Sequence, residues 1–137
     1  MNAYFHLAYH VRDLTQARRF YGTVLGCKEG RSTDRWVDFD FYGHQLSLHL
    51  GTPFAHVATT QMGEHLVPVP HLGLILPMPD WKQFASRISA HQVDFLIAPC
   101  IRFAGQAGEH ATMFFLDLCG NPMEIKGFAD QQAIYAQ

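Results

Sequence analysis

Three side chains of this sequence combine metal-binding chemistry with a matched placement in the chain: His6, His71 and Glu124. The sequence contains nine histidines, and imidazole is the commonest metal ligand in proteins. Two imidazoles and one carboxylate bind a divalent ion on one side and leave its other positions open for substrate or water. Taken alone, each histidine is more simply explained as an ordinary half-buried side chain. Their joint placement is what favours a metal site.

Glu124 lies on the second strand of a predicted β-hairpin. Residues 117–122 contain Asp, Gly-Asn and Pro, which are turn formers of three kinds. After this turn, Met123 and Ile125 alternate with Glu124 and Lys126, which is the period of a half-buried strand. Glu124 is therefore expected to point away from the apolar layer, towards a wet cavity or open solvent.

Two halves of the chain show the same order of predicted elements. The first has a strand at 4–11, a helix that Asp13 caps and Gly26 ends, and strands at 28–32, 36–41 and 45–50. The second has a strand at 71–76, a helix that Asp80 caps, a strand at 93–98, a loop at 99–110 and a strand at 111–116 that begins the hairpin.

This repeat predicts how the candidate ligands come together. When Gly120 is aligned with Gly43, the two hairpins superpose without a gap and Glu124 falls on Ser47. His6 and His71 each lie at the first strand of a half. We therefore predict an α+β fold of tandem βαβββ repeats that form a curved, barrel-like mixed sheet around a metal-site cavity. The single domain, 1–137, would consist of halves 1–51 and 70–128 joined by a linker at 52–69.

Composition argues against several classes of partner. A chain of 137 residues that is rich in apolar side chains and low in charge is expected to form one globular domain. Its formal charge of −2 gives no reason to expect nucleic acid or an anionic membrane as a partner. No apolar run approaches the ~20 residues of a membrane span, and the N-terminus does not have the pattern of a signal peptide. A cytoplasmic protein that acts on a small molecule is expected.

Several short motifs point to a known family: His6-Leu7-Ala8, Asp13-Leu14, Phe20-Tyr21, Leu25-Gly26, the run Asp-Leu-Cys-Gly-Asn at 117–121, and Glu124. Together they resemble the vicinal oxygen chelate superfamily, which includes glyoxalase I, extradiol dioxygenases, and fosfomycin- and bleomycin-resistance proteins. Within it the chain is most similar to a small group of predicted extradiol-type dioxygenases. The matching positions are 36–41, Gly43-His44-Gln45, His49, Pro70-His71, Arg102-Phe103 and Gly108-Glu109.

The resemblance implies a ligand set and a reaction class. It places the metal ligands on His6, His71 and Glu124, with Fe(II) favoured and Zn, Mn or Ni as alternatives. The implied protein is a homodimeric, metal-dependent dioxygenase that acts on a small aromatic diol. His49, which lies one pleat beyond Ser47 on the strand equivalent to that of Glu124, is the candidate acid/base.

Two other function classes remain open. The first is glyoxalase-like lyase, isomerase or transferase chemistry with the metal as a Lewis acid, although Ser47 stands where glyoxalase I has a fourth ligand, a glutamate. The second is a resistance-type protein that encloses a small molecule. The roles of His10, Arg102, Glu109 and Lys126 are open, as is whether the site lies within one chain or is shared between two.

Overall fold

The computed structural model describes residues 1–136, without the side chain of Thr59. The described chain forms two compact units. The first consists of Met1–Ala55 together with Asp117–Asn121, and the second consists of His56–Leu116 together with the chain from Pro122 onward. Each unit contains one predicted repeat, and the turn of the second hairpin belongs to the first unit.

The first unit contains one βαβββ repeat. Its strands are β1 (His6–Val11), β2 (Lys28–Ser32), β3 (Trp36–Phe41) and β4 (His44–Leu50). Helix α1 (Leu14–Ala17) follows β1 and continues as a π-helical segment, Arg18–Val24. The sheet order is β1-β4-β3-β2, with β1 parallel to β4 and the other neighbours antiparallel.

Both ends of this helix agree with the sequence prediction. Asp13 accepts a hydrogen bond from the backbone amide of Gln16 at 2.9 Å, which satisfies an amide that has no partner within the helix. Gly26 follows the helix with a φ of 75°, a left-handed conformation that glycine adopts without a steric penalty.

The second unit repeats this order and adds a hairpin. The hairpin pairs β5 (Val57–Met62) with β6 (His65–Val69). The repeat consists of β7 (Leu72–Pro77), α2 (Met78–Ser89), β8 (Asp94–Arg102), β9 (His110–Leu116) and β10 (Pro122–Phe128), and a short 3-10 helix, Gln131–Tyr135, follows it. The sheet order is β7-β10-β9-β8, with β7 parallel to β10, as in the first unit. The predicted α+β fold of tandem βαβββ repeats is confirmed.

Helix α2 covers the apolar face of the second sheet. Trp81, Phe84 and Ile88 recur at helical spacing and are buried. Trp81 donates a hydrogen bond from Nε1 to the carbonyl of Ile125 at 2.9 Å. Gly127 is required beside it, because a Cβ there would lie 2.5 Å from the Trp81 ring. Within residues 1–136, no helix has the length and apolar character needed to cross a membrane.

The sheets and the linker differ from the prediction. Instead of one barrel-like sheet, the described residues form two four-stranded sheets that share no strand pairing, so hydrogen bonding does not close a barrel. The predicted linker at 52–69 contains the β5–β6 hairpin. A register shift between Ala58 and Thr60 interrupts the alternation of β5, which explains why no strand period is visible in the sequence.

Helix α2 and strand β8 have different bounds from those predicted. Asp80 lies in the first turn of α2 rather than at its cap, which is Pro77. A carboxylate in the first turn still interacts favourably with the helix dipole. Strand β8 extends through the first part of the predicted loop to Arg102, and two register shifts against β9 break its alternation.

The two hairpins do not superpose without a gap. Ser47 pairs with Asp38 and Glu124 with Phe114. A shift of 77 residues (47 to 124) therefore relates β4 to β10, whereas a shift of 76 (38 to 114) relates β3 to β9. The connection at 117–121 is thus one residue longer than its counterpart, and Asp117 corresponds to the buried Phe41 rather than to Asp40.

Candidate metal centre

Polar side chains on the second sheet converge on Glu124, in the middle of β10. Glu124 lies between Gly73 of β7 and Phe114 of β9. Gly73 permits the close approach of β7, because a Cβ at this position would overlap the backbone carbonyl of Glu124. Glu124 faces away from the buried Met123 and Ile125 as predicted, yet it is only 6% exposed. Its carboxylate is therefore not a surface group within this unit.

Two partners hold the imidazole of His71 in one orientation. Nδ1 donates a hydrogen bond to the backbone carbonyl of Pro68 at 2.6 Å. Because a carbonyl oxygen only accepts, this contact requires the hydrogen to be on Nδ1. Nε2 then lies 3.3 Å from Oε2 of Glu124. The ring of Phe114 packs edge-on against the imidazole, with 5.0 Å between centroids.

The two oxygens of Glu124 have different partners. Thr112 donates from Oγ1 to Oε1 at 2.9 Å. Oε2 faces Nε2 of His71 and lies 3.9 Å from Nζ of Lys126. Thr112 thus fixes the carboxylate through one oxygen and leaves the other beside the imidazole and the ammonium group.

The pKa values of the pair move in opposite directions. The hydrogen bond to Glu124 raises the pKa of His71, although burial works against this rise. Burial by itself would raise the pKa of Glu124, but the hydrogen bond from His71, the charge of Lys126 and the Thr112 hydroxyl together lower it. In the absence of a cation, the site therefore favours a protonated His71 beside an ionised Glu124.

A cleft of about 160 Å³ opens at this pair. Its polar lining consists of His71, Glu124 and Lys126, and the rest is supplied by residues 72–75 of β7. Deprotonation of Nε2 would give one nitrogen and one carboxylate oxygen at the cleft, donor atoms that suit a divalent first-row metal ion.

The third predicted ligand, His6, belongs to the first unit. It begins β1, is exposed, and lies on the opposite side of the strand from the buried Tyr9 and Val11. Within residues 1–136, no three His, Cys, Asp or Glu side chains are gathered as a group that could hold a metal ion. The second unit brings His71 and Glu124 together, and the complete three-ligand set stays a prediction.

The candidate acid/base, His49, lies on β4 of the first unit. It is half-buried, with its ring 6.2 Å from that of Trp36, and it pairs in register with His10 of β1. Ser47, two residues earlier, is buried and donates its hydroxyl to Asp38. Asp38 also accepts a hydrogen bond from Nε2 of Gln45 at 3.1 Å. The Ser47 hydroxyl is therefore already engaged within its own unit.

The Asp-Leu-Cys-Gly-Asn motif has a structural role that its sequence does not reveal. Oδ1 of Asp117 accepts the backbone amides of Cys119 and Asn121, both at 2.8 Å. Oδ2 accepts the Tyr21 hydroxyl at 2.6 Å and the Asn121 side-chain amide at 2.9 Å. The Tyr21 hydroxyl also contacts that of Tyr9, and burial raises the pKa of both tyrosines well above the ordinary value. Asp117 therefore binds the second hairpin turn to the helix of the first unit.

A search of solved structures found a relative over the full length of the chain. The glyoxalase/bleomycin resistance protein/dioxygenase of Alicyclobacillus acidocaldarius is 30% identical, with a TM-score of 0.79, and the match covers 98% of this chain and 97% of that one. This chain belongs to the vicinal oxygen chelate superfamily. The family resemblance predicted from the sequence motifs is thereby confirmed.

More distantly similar solved structures share the fold of this vicinal oxygen chelate protein. The fosfomycin resistance protein FosX of Listeria monocytogenes is 15% identical, with a TM-score of 0.69, and the match covers 97% of this chain and 98% of that one. TioX of Micromonospora sp. ML1 is 17% identical, with a TM-score of 0.64, and the match covers 92% of this chain and 98% of that one. No protein-family model and no curated protein matches the chain.

Three groups that orient the His71–Glu124 pair were not predicted from the sequence. They are Thr112, the Pro68 carbonyl and Gly73. A glycine within the leucine-rich strand at 72–76 was the one local signal, because glycine in a strand often marks a close backbone approach. Thr112 and Pro68 carry no such signal, since their roles depend on register and on the entry of the chain into β7.

Proposed function

We propose that this vicinal oxygen chelate protein is a metal-dependent enzyme whose divalent ion is held by His6, His71 and Glu124. The observation that carries the proposal is the His71–Glu124 pair, in which Nδ1 is committed to Pro68 and Nε2 faces Oε2. Metal-ligating histidines commonly donate their other ring nitrogen to a backbone carbonyl, which fixes the tautomer and the ring orientation. Thr112 does the same for the carboxylate.

Among the reactions of the superfamily, we propose extradiol-type cleavage of a small aromatic diol. Fe(II) held by three protein ligands would supply positions for a catecholate and for dioxygen. Ser47 supports a three-ligand set, because it stands where glyoxalase I has its fourth-ligand glutamate and its hydroxyl is engaged with Asp38. In this scheme His49 takes or gives the proton of a substrate hydroxyl.

The residues around the pair have roles that do not depend on the identity of the ion. Phe114 blocks one side of the imidazole and keeps Nε2 directed towards Glu124. Lys126 offsets the negative charge of Glu124, and its ammonium can also attract an anionic substrate to the cleft. We further propose that the enzyme is a homodimer, since the edge strands of the second sheet expose Ile75, Leu96 and Ile101. We also propose that it is cytoplasmic.

Metal analysis of anaerobically purified protein tests this proposal. Wild type should contain close to one divalent ion per chain, and His71→Gln or Glu124→Gln should lose it. His91→Gln is a matched control, because His91 is exposed beyond the end of α2. Retention of the ion by both ligand variants would refute the site.

Oxygen uptake with a panel of catechols then tests the reaction. Consumption of oxygen that depends on Fe(II) and on Glu124 supports the dioxygenase. Bound Zn, Mn or Ni without any oxygen uptake would refute it in favour of Lewis-acid chemistry. Ligand binding that is unchanged in metal-free protein, with no turnover, would favour a binding protein instead.

A further inference from the structure

The second unit buries a cationic side chain, and no counter-ion for it lies among the described residues. Arg102, the last residue of β8, is 8% exposed, and its terminal nitrogens Nη1 and Nη2 are buried without a hydrogen-bond partner. Arginine keeps its charge in proteins, so it cannot escape this environment by losing a proton. A buried, unpaired charge is strongly unfavourable. Within residues 1–136, this guanidinium therefore has no anion to offset its charge.

A second unpartnered group lies directly across the strand pair. His110 of β9 is the register partner of Arg102, and such pairs project from the same face of a sheet. His110 is 7% exposed, and its Nδ1 donates to the carbonyl of Gly108 at 2.7 Å. Its Nε2 is buried without a partner. The imidazole is held flat against the ring of Phe128, at 5.1 Å between centroids.

The surroundings of Arg102 are built from backbone and aromatic groups. The Phe103 ring lies 5.5 Å from the guanidinium carbon. The turn of the β5–β6 hairpin covers the other end, since a Cβ on Gly63 would lie 3.1 Å from Nη2. Glu109, the carboxylate nearest in sequence, instead accepts the backbone amide of Gly105. Among residues 1–136, no carboxylate forms an ion pair with Arg102.

The hairpin that covers Arg102 is a separate two-stranded sheet, which leads into β7 through residues 70–71. In the described chain, β5 and β6 pair only with each other. Val67 and Met62 pack on Ile97, Cys100 and Phe114 of the second sheet. The hydrogen bond of His71 to the Pro68 carbonyl holds the opposite end of the hairpin from its turn. The turn at Gly63 can therefore move away without breaking the sheet ladder. Displacement of this turn would open the guanidinium to a ligand.

We infer that Arg102 forms a binding site for the carboxylate group of the substrate, with His110 as a second donor. Because Nδ1 of His110 donates to Gly108, Nε2 donates to a bound carboxylate only when the ring carries both protons. A guanidinium presents two parallel N–H groups that match the two oxygens of a carboxylate. Thr112, which holds Glu124, lies two residues from His110 on β9, a distance of roughly 7 Å at the usual rise of a strand. A single aromatic ring can span this distance. The substrate class is thus an aromatic acid, whose ring is long enough to extend from Arg102 along β9 towards Glu124.

This inference rests on the proposed function in one respect, which is that the ligand of Arg102 is the substrate of the enzyme. The test uses metal-free protein so that ligand binding is measured separately from the metal-dependent activity. Benzoate is the probe, benzamide is its uncharged analogue of the same shape, and inorganic phosphate is the competing anion. Binding is measured by the rise in Tm with probe concentration in the presence of EDTA. Benzoate should raise the Tm of wild type and of Glu124→Gln, while benzamide and phosphate should have much weaker effects.

The variants at Arg102 decide the outcome. Arg102→Met, which keeps the side-chain length, should weaken benzoate binding on the order of 10- to 100-fold, the usual effect of losing hydrogen bonds to a charged group. Without probe it should unfold at the same or a higher temperature, because it removes an unpaired buried charge. Arg102→Lys should bind weakly, since an ammonium lacks the paired donors.

Several results would overturn the site. They are equal benzoate binding by wild type and Arg102→Met, an equal response to benzamide, a response to phosphate alone, or no response of wild type to benzoate. A marked fall in the Tm of ligand-free Arg102→Met would instead identify a structural arginine. Failure of the metal proposal would leave these readouts unchanged, because none of them requires an ion.

Discussion

Replacement of Asp117 by alanine should severely destabilise the protein while removing no group of the candidate metal site. The buried carboxylate of Asp117 accepts four hydrogen bonds, from two backbone amides, the Tyr21 hydroxyl and the Asn121 side chain. A hydrogen bond to a charged group contributes about 1.5–3 kcal/mol, but such contributions within one network are not additive. Allowing for repacking and entry of water, we expect Asp117→Ala to lower the free energy of unfolding by about 4 kcal/mol.

Equilibrium unfolding in urea measures this loss. Asp117→Asn keeps the shape but has one acceptor oxygen instead of two, so we expect it to lose about half as much, about 2 kcal/mol. Asp94→Ala is the matched control, because Asp94 is exposed, and surface changes of this kind usually stay within about 0.5 kcal/mol. A loss of less than about 1 kcal/mol in Asp117→Ala would refute the assignment of the motif to folding.

Three further predictions concern the proposed site. His49→Ala should keep a normal metal content while turnover falls by roughly 100-fold or more, and joint loss of metal and activity would make His49 a ligand or a structural group instead. In metal-free protein, the stabilisation from the His71–Glu124 pair should be greatest between pH 4.5 and 6.5, the ordinary pKa values of the two groups. It should decline as the pH rises through the raised pKa of His71 or falls through the lowered pKa of Glu124, and a pH-independent difference in stability between wild type and His71→Gln would contradict this. Finally, two inactive variants, His6→Ala and Glu124→Ala, can be unfolded and refolded as a mixture. Partial activity should return if each site is shared between two chains, whereas no recovery would place each site within one chain.

Local patterns were sufficient for most of the fold. Alternation in β1, β3 and β10, the Asp13 cap and the Gly26 end of the first helix are all visible in the sequence, because they depend on residues within a few positions of each other. The repeat of this order supported the fold and family, both of which are confirmed. Prediction was wrong where register shifts interrupt alternation, as in β5 and β8, since a bulge changes which side chains share a face.

The site was only partly within reach of the sequence. The sequence identified His71 and Glu124 as partners, and the structure brings them to 3.3 Å. It did not identify Thr112, which fixes Glu124, or the buried and unpartnered state of Arg102. Whether a charged residue is buried depends on what covers it, and the cover of Arg102 comes from Gly63, in a segment that had no readable period.

The sequence by itself thus determined the order of elements, the family and the chemical types of the candidate ligands, because these follow from side-chain identity and short-range spacing. Only the tertiary structure decided the tautomer of His71, the burial of Glu124 and the role of Asp117. Each of these features depends on a contact with a residue that is distant in sequence or with a single backbone carbonyl. Hydrogen bonds form or fail over tenths of an ångström, and a sequence pattern specifies position only to the nearest residue.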